Sequence, residues 1–275
     1  MARLFDVRDA ADERVSDYVG LTDPDLRRRR EQADGGDGAF FIAEGAGVIR
    51  QLVRSTYRIR SLFLTPQRLA VLEPDLADVD APVFVAPQEV VNAVSGFPLH
   101  RGAIASAHRD PLPEALAVAE DADLVVVTEG LNDHENLGAL FRNAAAFGAG
   151  AVLLDPTSAD PLYRRSVRVS MGQVLHVPFA RAAPWPGVVG DLRARGFEVL
   201  ALTPGPDAED LRHVEPRPRQ ALIVGAEGAG LSARALAAAD RRVRIPMAPG
   251  VDSLNVATAA AIALHHLVGT ALRRR

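Results

Sequence analysis

Residues 130 to 144 read GLNDHENLGALFRNA and stand between the apolar run LVVVTE and an alanine-rich continuation. A short apolar run bounded by polar residues reads as a buried strand, and the small, periodic residues from Leu137 onward read as a helix. A strand-to-helix connection needs one polar cap. Asp133, Asn136 and Arg142 together are more polar chemistry than folding demands, and an arginine on a helix of small residues asks for a partner outside that helix.

Outward from this stretch the same alternation continues. After LVVVT the sequence presents AVLLD, VLHVPF, FEVLAL, ALIVG and VRIPM as strands, with helices from Leu137, around 161 to 171, 187 to 195, 232 to 239 and about 254 to 271. Apolar strands alternating with helices predict an α/β domain with a parallel sheet covered on both faces. Sites in such sheets lie at the carboxyl ends of the strands. The polar loops after LVVVT, ALIV and VRIPM are all carboxyl ends, so their residues are expected to converge on one crevice. Residues 39 to 107 alternate in shorter units, FFIAE to GAIASA, and predict a smaller α/β domain. The expected division is an N-terminal extension 1–38, a first domain 39–107, a proline- and acid-rich linker 108–122, and a second domain 123–275.

Composition removes whole chemistries. The chain has no cysteine, so disulfides, thiolate metal sites and cysteine nucleophiles are excluded. Its 31 basic residues are all arginine, which excludes Schiff-base and P-loop lysines. No run approaches the ~20 apolar residues of a membrane helix, and the acidic N-terminal stretch is unlike a signal peptide; a cytoplasmic protein is expected. A net charge of −4 argues against a general nucleic-acid binder, so local patches must carry any RNA affinity. The candidates are Arg27 and Arg28 in the run Arg27 to Arg30, then Arg54, Arg58, Arg60 and Arg101.

Two further segments carry chemistry. GAEGAGLS, residues 225 to 232, follows an apolar strand and opens a helix that Ser232 can cap. Its G-x-x-G-x-G spacing and late position do not fit a dinucleotide fingerprint, and Glu227 inside the loop would repel a pyrophosphate, so a cationic or neutral ligand suits it better. RIPMAPGVDSLNVATAAAIALHH, residues 244 to 266, predicts a buried helix from Leu254, capped by Ser253, with Asn255 needing partners for both ends of its amide. His265 and His266 are adjacent, which is not a metal-ligand spacing on a helix, and no metal site is expected.

The three segments D-x-x-N-L-G-x-x-x-R, G-A-E-G-x-G-L-S and I-P-M…S-L-N-V, in this order, resemble the motifs of the SpoU family of RNA 2′-O-ribose methyltransferases, in the SPOUT class. The resemblance covers residues 124 to 272, and 39 to 107 is similar to the family's N-terminal substrate-binding domain. Ala257 departs from it, where many members carry a second serine. The resemblance implies a trefoil-knotted C-terminal domain, a homodimer whose protomers share the site, S-adenosylmethionine as cofactor, and RNA as substrate, ribosomal rather than transfer RNA because minimal transfer-RNA members lack the first domain. A transfer-RNA enzyme and a catalytically idle RNA-binding relative are the alternatives. Carried over residue by residue, it implies Arg142 as the catalytic residue with Asn136 beside it, and Glu227, Ser253 and Asn255 completing the catalytic crevice. Leu202, Thr203, Gly225, Glu227, Gly228, Ile245, Met247, Ser253 and Leu254 would embrace the cofactor. Because a guanidinium stays charged, Arg142 is expected to clamp an RNA phosphate rather than act as a base.

Overall fold

A computed structural model describes residues 3–22, 38–99 and 102–268, which divide into two compact units. The second unit, Leu112–Pro161 with His176–Arg275, holds a seven-stranded sheet. Its strands are β6 (Leu124–Glu129), β7 (Ala151–Leu154), β8 (Phe179–Arg181), β9 (Glu198–Leu202), β10 (Glu209–Asp210), β11 (Gln220–Gly225) and β12 (Arg241–Arg244). The order is β10-β12-β9-β11-β6-β7-β8, and every pairing is parallel. The run LVVVT is buried throughout, as a strand covered on both faces must be. One face packs Val125, Val127, Leu153 and Ile223 against Val189 and Leu192 of the helix Gly187–Ala194. The helices His134–Ala146 and Val256–Val268 pack on each other, and the latter also packs on β11. Among the described residues no helix is long and apolar enough to cross a membrane.

The first unit is Met1–Pro111 together with Leu162–Leu175. Its mixed sheet has the order β1-β4-β3-β5-β2, from β1 (Arg3–Asp6), β2 (Phe40–Glu44), β3 (Ile59–Leu64), β4 (Pro82–Val85) and β5 (Ala103–His108). Two findings differ from the expected division. The segment expected to be an extension, 1–38, contributes β1, paired in parallel with β4, and a 3-10 turn, Glu13–Tyr18, that buries Val15 and Tyr18 in the core. Tyr18 hydrogen-bonds the Ser61 hydroxyl at 2.7 Å, and burial pushes its phenol pKa up.

The helix expected in the second domain around 161 to 171 is Arg164–Val169, and it groups with the first unit. The cause is electrostatic and steric. Glu44, only 6% exposed at the end of β2, takes Arg164 at 3.4 Å and Arg168 at 3.6 Å as counter-charges. A buried carboxylate needs such partners. Gly172 then lies where a Cβ would stand 2.7 Å from Gln51 Cβ, so the segment packs closely on the helix Ala46–Arg54.

Candidate functional site

The loop of the opening stretch sits at the carboxyl end of β6, and Asp133 is the cap of the helix that follows: its Oδ1 accepts from the N–H groups of Glu135 at 2.7 Å and Asn136 at 2.8 Å. The Asn136 side chain has another task. Its Oδ1 accepts from Asn255 Nδ2 at 2.7 Å, and the same Nδ2 donates to Glu227 Oε1 at 3.0 Å. Asn255 Oδ1 accepts from the Thr258 N–H at 3.1 Å. Both ends of the Asn255 amide are thereby used, and two acceptors on one side with a donor on the other fix which end is nitrogen. The first turn of the helix after β6 and the loops after β11 and β12 are thereby joined at one point.

Two expectations about the last helix are corrected. Its described part is Val256–Val268, so Asn255 precedes the helix, is exposed, and supplies the cap expected of Ser253. The earlier start predicted from the apolar pattern fails because Leu254, 37% exposed, belongs to the crevice wall rather than to the core. The helix also covers its own apolar residues: Val256, Ala260, Leu264 and Leu267 are buried within the chain, and Ile262 is its exposed large apolar residue.

Beside the junction opens a crevice of about 630 Å³, within the range of small-molecule sites. Leu202, Thr203, Gly225, Glu227, Gly228, Ile245, Met247, Ser253, Leu254 and Asn255 all line it, so the structure brings the expected cofactor residues to one place. The wall from β11 is a tight turn. Ala226 and Gly230 form a bridge, with the Gly230 N–H donating to the Ala226 carbonyl at 3.0 Å. A Cβ on Gly225 would stand 2.4 Å from the carbonyl carbon of Gly230.

Arg142 is not among the lining residues. It lies exposed on the helix His134–Ala146, and among the described residues no hydrogen bond or ion pair holds its guanidinium. Its neighbour Asn143 faces the last helix instead, donating to the Ala257 carbonyl at 2.8 Å. Of the arginines expected to meet RNA, Arg27, Arg28 and Arg101 lie outside the described residues, and Arg54 and Arg58 are exposed. Arg60 is ion-paired with Asp17 at 2.9 Å, and its guanidinium lies 4.8 Å over the centre of the Phe40 ring.

Sequence reasoning missed two carboxylates at strand ends. Glu129, the last residue of β6, holds Trp185 and Ser232. Asp155, directly after β7 and 2% exposed, accepts from the Gly130 N–H at 2.9 Å and from both the N–H and hydroxyl of Thr157 and Ser158. The signal for each was position, an acid directly at the carboxyl end of an apolar run. Burial raises the Asp155 pKa, but the hydrogen bonds from Ser158, Thr157 and Gly130 outweigh it and hold the carboxyl below its ordinary value. A depressed pKa contributes stability that is present above the unfolded value, about 3.9, and is lost as pH falls through the folded value. Asp155→Asn is therefore expected to cost about 1–3 kcal/mol at pH 7. In urea titrations across pH, the gap between wild type and variant should narrow below about pH 4; a gap of unchanged size at pH 2.5 would show that the ionised carboxylate is not what anchors Gly130.

Comparison with known proteins places this geometry. The SpoU rRNA Methylase family model matches residues 123–265. An uncharacterized tRNA/rRNA methyltransferase of Mycobacterium tuberculosis is 48% identical over 263 residues, covering 94% of this chain and 90% of its own length. The 23S rRNA (guanosine(2553)-2′-O)-methyltransferase of Bacillus subtilis is 29% identical over 231 residues, covering 83% and 88%. The crystal structure of an AdoMet-bound rRNA methyltransferase from Sinorhizobium meliloti shares the fold at a TM-score of 0.79 and 24% identity, over 96% of this chain and 97% of that one.

Proposed function

The chain belongs to the SpoU rRNA methylase family, whose relatives are tRNA/rRNA methyltransferases, and from that premise we propose that it transfers a methyl group from S-adenosylmethionine to a ribose 2′-hydroxyl of ribosomal RNA. The observation that carries the reading is the junction of Asn136, Glu227 and Asn255 at the rim of the crevice. It joins one polar residue from each motif beside a cavity of small-molecule size. The donor set fits the cofactor: Leu202, Ile245, Met247 and Leu254 offer an apolar wall to an adenine, and the Glu227 carboxylate suits a sulfonium cation. When bound, the cofactor supplies an electrophilic methyl group, so the chain has mainly to orient a hydroxyl in line with it and aid loss of the proton.

Asn136 and Asn255 then orient groups at the mouth of the crevice, and Arg142 clamps the phosphate beside the target ribose. Since Arg142 stands outside the lining of its own chain's crevice, the reading includes a homodimer in which the site is completed from a second copy. It also includes the trefoil knot, which fits the return of the chain from β12, beyond β9, to the helix Val256–Val268 against β11. The first unit captures RNA with exposed arginines such as Arg54 and Arg58, and a ribosomal substrate places the enzyme in the cytoplasm.

Calorimetry with S-adenosylmethionine, followed by mapping of 2′-O-methyl groups in ribosomal and transfer RNA incubated with protein and cofactor, tests the reading. The expected result is saturable binding and a single ribosomal ribose methylated. Methylation confined to transfer RNA would replace the substrate, and binding without transfer to either RNA would leave an idle RNA-binding relative.

A further inference from the structure

Glu129 is the Cα partner of Gly225 in the pairing of β6 with β11, so its backbone fixes the residue at which the glycine-rich turn begins. Its side chain reaches the other end of the same turn. Oε2 accepts from the Ser232 N–H at 2.7 Å and Oε1 accepts from the Ser232 hydroxyl at 2.7 Å, while Oε1 also accepts from Trp185 Nε1 at 2.5 Å. One residue thus holds both ends of the segment 225–232, and an indole donor from the loop after β8 orients the carboxylate that does so. Neither Glu129 nor Ser232 lines the crevice, whereas Gly225, Glu227, Gly228 and Gly230 do.

Neither the cap of the next helix nor the closure of the turn depends on this carboxylate. Ser232 already caps the helix Ala233–Ala238 through the Ala235 N–H at 3.2 Å, which is the ordinary task of a cap. The turn is closed within itself by the Ala226–Gly230 bridge. What the carboxylate adds is the placement of that closed turn relative to β6, the strand that also leads to Asn136. We propose that Glu129 is a positioning residue for the cofactor crevice, acting through Ser232 to hold the 225–232 turn at the height where its backbone meets the ligand. The proposal rests on the reading of the crevice as an S-adenosylmethionine site.

The test is calorimetric titration of the full-length protein with S-adenosylmethionine, with thermal unfolding in parallel. Hydrogen bonds to an ionised acceptor are worth enough that Glu129→Ala should weaken cofactor binding about tenfold or more; the lost bonds also lower the unfolding temperature, so binding is compared at a temperature where both proteins are fully folded. Ser232→Ala removes one of the two donors and should weaken binding by a smaller factor, whereas Ser232→Thr, which keeps both, should bind as wild type does. Because the two residues act as one contact, the double alanine variant should bind no more weakly than Glu129→Ala alone. Trp185, the sole tryptophan, should shift its emission in Glu129→Ala, verifying that the junction has opened.

Wild-type affinity in Glu129→Ala, or losses that simply add in the double variant, would overturn the proposal. If Glu129→Ala fails to fold, the comparison of Ser232→Ala with Ser232→Thr decides, and equal affinity in that pair overturns it too. Failure of the wild-type protein to bind S-adenosylmethionine is a different result: it removes the reading of the crevice itself.

Discussion

Gly225→Ala is expected to destroy cofactor binding and to destabilise the second unit by about 3 kcal/mol or more, which is large for a single methyl group. A Cβ at this position would stand 2.4 Å from the Gly230 carbonyl carbon, 2.6 Å from its oxygen and 2.7 Å from the Leu231 nitrogen. All three are backbone atoms, so no side chain can swing away to make room. The bridge between Ala226 and Gly230 has to open, and with it the wall of the crevice moves. Gly228 makes the informative contrast. Its φ is +80° and a Cβ there would meet nothing within 4 Å, so Gly228→Ala should cost only the roughly 1–2 kcal/mol of a left-handed alanine. Thermal unfolding and calorimetry on the two variants separate close approach from backbone freedom. Gly225→Ala that unfolds with wild type and binds S-adenosylmethionine within threefold of it would show that the turn is not packed this tightly.

The sheet of the second unit was legible because its signal is local: LVVVT, AVLL and ALIV are short apolar runs rich in Val, Leu and Ile and bounded by polar residues or glycine, as strands buried on both faces are. The crevice was legible for a different reason. Once the strands are parallel, loops after β6, β11 and β12 must emerge on one edge, so Asn136, Glu227 and Asn255 share that edge whatever the strand order. Contacts that depend on distant partners were not legible. The pattern of RRSVRV shows a helix but not that Glu44, 120 residues earlier, draws it to the first unit. RLFD has two exposed apolar residues, Leu4 and Phe5, and only its pairing with β4 makes it a strand. In S-L-N either polar residue can cap a helix by preference alone. Asn255 takes the role because the other end of its amide is held by Asn136 and Glu227.

Arg142→Ala is expected to lower methyl transfer by at least about a hundredfold, the scale on which a preorganised charge at a reacting group is felt, while leaving the fold and cofactor affinity unchanged. Its position makes the experiment clean. Arg142 is exposed within the helix His134–Ala146, outside the crevice lining, and among the described residues nothing is hydrogen-bonded or ion-paired to it. Alanine is the best helix former, so truncation there should change stability by no more than about 0.5 kcal/mol. Any loss of turnover then belongs to the substrate. Arg142→Lys distinguishes a clamp from a mere positive charge: a planar fork can grip a phosphate through two parallel N–H donors, and an ammonium cannot. As a clamp, the lysine variant should recover RNA binding in part but stay well below wild-type turnover. Single-turnover assays with S-adenosylmethionine in excess, beside filter-binding of RNA, read the two effects separately. Wild-type turnover in Arg142→Ala would remove the residue from the mechanism altogether. Full recovery in Arg142→Lys would leave charge alone as its contribution, and the ribose would then owe its orientation to Asn136 and Asn255.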